Sequence, residues 1–354
     1  MSAKIHPIDV QRAQAMQARL DHKTKPQGSL GRLEELAVSL AGMGADLEAG
    51  LKRRAVLVAA ADHGIARQGV SAFPPEVTPQ MVLNFLAGGA AISVLARQGG
   101  AKVLVLDAGV NDASAPFPVH PGLLRRPVAP GTADFSQGAA MTRAQAEAAV
   151  QAGRDAVTQL AADGLDLLAI GEMGIGNTTA ASAICAAMLE LPVDQVTGRG
   201  TGLDVEGWQR KVAILEKALA LHQPKAGDAW DVLCKVGGFE IGALAGALLE
   251  ASVRRIPVIL DGFITGSAAL LANAWAPEGK AYWFASHQSV EIGHRHLLER
   301  LGLRAYLNLD LRLGEGSGAA LIFPMVDAVC ALVKDMATFD SAGVSDKETD
   351  KVAD

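Results

Sequence analysis

The chain has 354 residues, enough for one large domain with a satellite or for two domains. Half of the residues are hydrophobic but 4% are aromatic, so Ala, Leu, Val and Ile must fill the core, with close packing at the 38 glycines. The net charge is −6, both signs are interspersed and no basic stripe exists, which argues against a nucleic-acid partner. Residues 1–50 read as helices around a turn at Lys25–Gly31. The segment Met1–Gln17 is polar and lacks the apolar stretch of a signal peptide.

Beyond residue 50, short β-rich runs end in Gly, Asp or Ser and alternate with helical patterns. The runs are Ala55–Ala61, Lys102–Leu106, Leu165–Ile170, Ile256–Leu260 and Ala281–Ala285. The helical stretches are Pro79–Arg97, Thr142–Ala162, Thr178–Leu189, Val205–Leu221, Glu240–Arg254, Thr265–Ala274 and Ser289–Arg300. The runs are continuously apolar, as in strands covered on both faces, so the fold class is α/β: a mostly parallel sheet with helices on both faces. Residues 111–138, rich in Pro, Gly and Ala, read as a long ordered loop. Residues 317–338 read as one apolar helix, which packs with the N-terminal helices as a small domain. The expected division is 1–50, 51–316, 317–340 and a frayed tail 341–354.

Cys185, Cys234 and Cys330 are odd in number, far apart and in apolar helical stretches. They read as reduced core residues of a cytoplasmic protein. Apolar windows such as Ile241–Val253 contain Glu250 and are too short to span a bilayer, so no membrane role is expected.

Ligands of such sheets lie outside the carboxyl ends of the strands, where four motifs fall. The first is Gly171-Glu172-Met173-Gly174-Ile175-Gly176-Asn177-Thr178-Thr179, a glycine turn opening a helix. Its free N–H groups suit a phosphate; the plainer reading is a tight turn with a helix cap. Glu172 beside such a nest is not there to bind the phosphate. The second is Thr197-Gly198-Arg199-Gly200-Thr201-Gly202, with Lys211 on the following helix: another anion nest, or a solvated surface loop. The third is Arg312-Leu313-Gly314-Glu315-Gly316-Ser317-Gly318. A carboxylate stranded among glycines suits a general acid or base; the alternative is a capping group. The fourth pairs Asp261-Gly262-Phe263 with Ser286-His287-Gln288-Ser289, lining the crevice or capping helices.

His287, His294 and His296 form no ligand set, because the latter two are two apart on a predicted helix and face different ways. Asp62 and His63 at a strand end read as a hydrogen-bonded structural pair, with a catalytic role as the alternative. Gly242 and Gly246 serve close helix packing or a dimer contact.

These motifs, with Lys25–Glu34, Ala61–Gly64, Glu76–Thr78 and Lys235–Phe239, occur in an order that resembles the nicotinate-nucleotide–dimethylbenzimidazole phosphoribosyltransferase family. The resemblance runs from about residue 20 to 338 and is most specific at Arg312–Ala320. It implies transfer of the phosphoribosyl group of nicotinate mononucleotide to dimethylbenzimidazole, giving α-ribazole phosphate and nicotinate for the cobalamin lower ligand. It implies a homodimer with a Rossmann-like large domain, no metal and no organic cofactor. Glu315 matches the catalytic base, whose basicity burial is expected to raise above an ordinary pKa of about 4.3. Glu172 matches a second carboxylate near the reacting ring or ribose. The phosphate is expected against Gly174, Gly176, Asn177, Thr178, Gly198, Gly200 and Lys211, with Asp261 and Ser289 also in the site. The base is expected among Phe73, Pro74, Met81, Met173 and Leu313, with Gly314 and Gly316 beside it. Where the family commonly has Ser and Gln, this chain has Phe73 and Met81, so a wider range of aromatic bases is expected. Two other readings are a hydrolase of nicotinate mononucleotide and a non-catalytic nucleotide-binding module.

Overall fold

The computed structural model describes residues 4–112, 116–200 and 202–345. They divide into a large unit, residues 4–6 and 53–322, and a small unit, residues 7–52 and 323–345. The small unit begins with α1 (Val10–Asp21) and α2 (Arg32–Met43). The large unit opens with β1 (Arg54–Ala61), α3 (Val77–Leu86), α4 (Ala91–Gln98), β2 (Ala101–Gly109), β3 (Leu123–Arg125), α5 (Arg143–Ala161) and β4 (Leu167–Met173). It continues through α6 (Asn177–Leu189), α7 (Val193–Val196), α8 (Val205–His222), α9 (Ala229–Val236) and α10 (Phe239–Val253). It closes with β5 (Val258–Leu260), α11 (Phe263–Trp275), β6 (Trp283–Ala285), α12 (Ile292–Leu301) and α13 (Ser317–Ala320). The small unit resumes at α14 (Phe323–Asp335) and ends with α15 (Phe339–Ala342).

All six strands are parallel, in the order β3-β2-β1-β4-β5-β6. The chain builds outward from β1 through β2 and β3, then returns to add β4, β5 and β6 on the other side. The strand order therefore reverses between β1 and β4, and loops leaving their carboxyl ends part there to form a crevice. Every residue of β1 is buried, which explains its unbroken apolar run. On the helical layer, α5 and α10 meet backbone to backbone. A Cβ added at Gly246 would lie 1.9 Å from the Val150 carbonyl, and one at Gly153 would lie 1.7 Å from that of Ala243. Gly246 thus serves helix packing.

The structure corrects several expected elements. The stretch 79–97 is two helices, α3 and α4, broken at Gly88, whose φ of 77° an α-helix cannot hold. The loop expected over 111–138 contains β3, which pairs with β2; three residues are too few to leave a pattern, and residues 113–115 lie outside those described. The helix expected over 317–338 is α13 followed by α14, because Pro324 has no N–H to continue the first. α9 was not anticipated; Asp228 caps it by accepting the N–H groups of Trp230 and Asp231. Residues 317–322 cluster with the large unit rather than with the helical ends. Of the tail expected from residue 341, α15 covers the start and residues 346–354 lie outside those described.

By length and composition alone, the stretches 77–98 and 317–335 are apolar enough to cross a membrane. Each is interrupted at the breaks just described. Cys185 and Cys330 are buried, Cys234 is partly exposed, and all three are free thiols.

Candidate active site

The loops leaving β1, β4, β5 and β6, joined by the loop before α13, enclose a cavity of about 280 Å³. Glu172, on the last turn of β4, and Glu315 both line it. Each is buried, at 6% exposure.

Glu315 has φ 64°, between Gly314 at 85° and Gly316 at 88°. Three successive left-handed residues fold the loop sharply against β4. A Cβ at Gly171 would lie 2.2 Å from the Gly316 nitrogen, so only glycine there lets the loop lie so close. Asp261, at the end of β5, fastens the loop from below. Its two oxygens accept the Gly316 and Ala319 N–H groups, each at 3.1 Å. The Glu315 side chain is anchored in turn: its Oε2 accepts the Ile92 N–H, 3.4 Å away, in the first turn of α4. Burial raises the Glu315 pKa, and this N–H opposes the rise.

Glu172 accepts a hydrogen bond from Asn177, the first residue of α6. Burial pushes its pKa up to about 8, with the Asp261 charge adding to the effect. At neutral pH it is mainly a neutral carboxyl group.

A cationic corner adjoins the cavity at Thr178 and Gly200, one residue along α6 from the Asn177 that holds Glu172. Lys211, on α8, is buried behind the lining, and its Nζ donates to Thr178 Oγ1 at 3.0 Å. Burial lowers its pKa to about 8, against the attraction of Glu291. Thr178 lies in the first turn of α6, whose N-terminus adds partial positive charge. Gly200 adjoins Thr178 and Lys211, since a Cβ there would sit 3.1 Å from Thr178 Oγ1 and 3.6 Å from Lys211 Nζ.

Apolar wall is supplied by Phe73, Val77, Met81, Met173, Ile264 and Leu313. A larger cavity, about 610 Å³, lies on the other side of α3, among Asp62, His63, Gln80 and Thr132. Its lining has no pair of buried glutamates.

A family model described as phosphoribosyltransferase matches residues 5–344. The chain belongs to this phosphoribosyltransferase family. It is 55% identical to the nicotinate-nucleotide–dimethylbenzimidazole phosphoribosyltransferase of Chloroflexus aggregans over 97% of each chain. Its identity to the protein of the same name from Geobacter sulfurreducens is 49%, again over 97% of each. It is also similar to the crystal structure of CobT from Thermus thermophilus, with a TM-score of 0.90 and 50% identity, covering 95% of this chain and 100% of that one.

Within this phosphoribosyltransferase, the residues singled out from sequence fall into three groups. Glu172, Glu315, Phe73, Met81, Met173, Gly174, Asn177, Thr178, Gly200, Ser289, Leu313 and Gly314 line the one cavity. Gly176, Lys211, Gly198 and Gly316 stand directly behind that lining. Gly176 caps α6, Lys211 is bonded to Thr178, Gly198 packs on Glu291 and Gly316 packs on Gly171. Asp261 and Pro74 lie outside the lining: Asp261 is buried beneath the loop it holds, and Pro74 is exposed.

His63 also differs from expectation. Its Nε2 pairs with Glu240 at 2.8 Å, fully buried, while Asp62 accepts the Asn111 N–H at 2.8 Å. His287 and His294 are pushed down by burial to about 4 and about 3, so both imidazoles are neutral. Among the described residues no group of three or more His, Cys, Asp or Glu side chains is placed to hold a metal ion. Sequence reasoning missed Ile264 and above all Glu291 as lining residues. Glu291 falls inside the helix expected over Ser289–Arg300, and nothing in the sequence signals its burial.

Proposed function

We propose that this protein transfers the phosphoribosyl group of nicotinate mononucleotide to dimethylbenzimidazole, yielding α-ribazole phosphate and nicotinate. The observation that carries this is one cavity lined by the buried carboxylates Glu172 and Glu315 and by apolar side chains, with a buried lysine bonded to Thr178 of that lining at a helix N-terminus.

The phosphate lies at the Lys211–Thr178–Gly200 corner, the nicotinate ring and ribose near Glu172, and the aromatic base among Phe73, Met81 and Leu313. The bond from C1′ to the pyridinium nitrogen breaks and its electrons return to the ring, so the leaving group needs no proton. A benzimidazole nitrogen forms the new bond to C1′ from the opposite face. The proton on its other nitrogen passes to Glu315, whose buried carboxylate is more basic than a solvated one. Glu172 stands neutral until a cationic ring enters. That cation favours the ionised carboxylate, which offsets positive charge at the ring and later at C1′. The walls around the base carry no polar anchor at Phe73 or Met81, so related aromatic bases are accepted as well.

Purified protein incubated with nicotinate mononucleotide tests the proposal. Nicotinate appears when dimethylbenzimidazole is present and not without it. Release without the base would mean that Glu315 activates water and the protein is a hydrolase.

A further inference from the structure

Glu291 lines the phosphate end of the cavity and has no task in the reaction written above. It is the residue ahead of α12, and its carboxylate accepts the backbone N–H of Gly200. Its Oε2 is buried and has no hydrogen-bond partner among the described residues. A Cβ added at Gly198 would lie 2.0 Å from that oxygen, so the glycine loop lies directly against the carboxylate. The charged groups facing it are Lys211 from α8 and Arg312 from the loop before α13. A glycine turn, a backbone N–H and an ammonium group are the surroundings a phosphate oxygen requires. Here a carboxylate has them. An ionised carboxylate and a dianionic phosphate in one dry nest repel strongly, and a single proton between them turns that repulsion into a hydrogen bond.

We propose that Glu291 is a placeholder anion in the phosphate subsite, and that the substrate's phosphate monoester enters with one proton, held between a phosphate oxygen and Glu291. The proposal rests on the reading of this cavity as the nucleotide site. The proton comes from solvent on binding and returns when the product phosphate leaves. Burial, which raises the Glu291 pKa, favours holding it. Below the second phosphate pKa of about 6 the monoester already carries the proton. Above it the proton must be taken up, and affinity falls by up to about tenfold per pH unit.

The test is calorimetric titration of nicotinate mononucleotide at about pH 7, one unit above the phosphate pKa, in buffers of different ionisation enthalpy. Lys211, at about 8, is still mainly protonated there. Nicotinate riboside, which lacks the phosphate, serves as reference for the protons of Glu172 and Glu315. The nucleotide takes up close to one proton more than the riboside. In Glu291→Gln the difference disappears and affinity no longer falls with pH. Equal uptake by nucleotide and riboside, or an unchanged difference in Glu291→Gln, overturns the proposal. Should the variant not fold, the wild-type comparison alone decides. Should the nucleotide fail to bind, the proposed function is at fault, and inorganic phosphate titrated by itself decides on Glu291: uptake of a proton supports the placeholder, and binding without uptake or no binding overturns it.

Discussion

Three glutamates share one cavity, and their surroundings give them different work. Glu315 is held by a helix N–H, Glu172 by an asparagine amide and Glu291 by a glycine N–H. Burial acts on Glu172 strongly enough for a stability prediction. Its pKa rises from 4.5 in the unfolded chain to about 8 in the folded one. Between those values the folded state binds more protons than the unfolded state, so stability falls as pH rises. Glu172→Gln removes that dependence. The variant is expected to melt close to wild type near pH 5 and a few degrees higher near pH 8. Parallel melting curves against pH would contradict the assignment. Glu315 was legible in the sequence because glycines on both sides of a carboxylate are otherwise hard to explain. Their physical reason, a left-handed turn packed on Gly171, was not. Glu291 was invisible because burial depends on what the fold places around it.

At the scale of elements, the decisive join is between β5 and α13. Asp261 ends the strand and accepts N–H groups from the loop and the helix, so the position of Glu315 is set by a strand fifty-odd residues earlier in the chain. Asp261→Asn turns an acceptor-only group into one whose amide faces N–H donors. The expected cost is about 1.5–3 kcal/mol of stability, the range for hydrogen bonds to charged groups. The turnover rate should fall well before the KM for the nucleotide changes, because Lys211, Thr178 and Gly200, the corner proposed for the phosphate, are held by other elements. An unchanged turnover rate would show that the loop holds itself. The Asp-Gly pair after an apolar run marked this strand end in the sequence, but capping and substrate contact were equally open readings. The strands themselves were legible from continuous apolar runs, since both faces are covered. β3 was not, because three residues flanked by turns carry no period. The division of α3 from α4 was hidden because helical periodicity continues across Gly88 while the backbone does not.

At the scale of the molecule, alternating strands and helices implied a parallel sheet, but not which strands are neighbours. The order β3-β2-β1-β4-β5-β6 follows from pairing between distant segments, and it alone explains why motifs near residues 73, 172, 200, 289 and 315 meet in one cavity. Family membership accounts for the whole chain rather than one motif, since the family match extends over residues 5–344. In the proposed reaction, a proton passes from the incoming aromatic base to Glu315 as the phosphoribosyl group is transferred. The most direct measurement is turnover of nicotinate mononucleotide and dimethylbenzimidazole by Glu315→Gln, with nucleotide binding followed separately. The rate is expected to fall at least ~100-fold below wild type, as for loss of a general base, with nucleotide affinity largely kept. Turnover at the wild-type rate would contradict it.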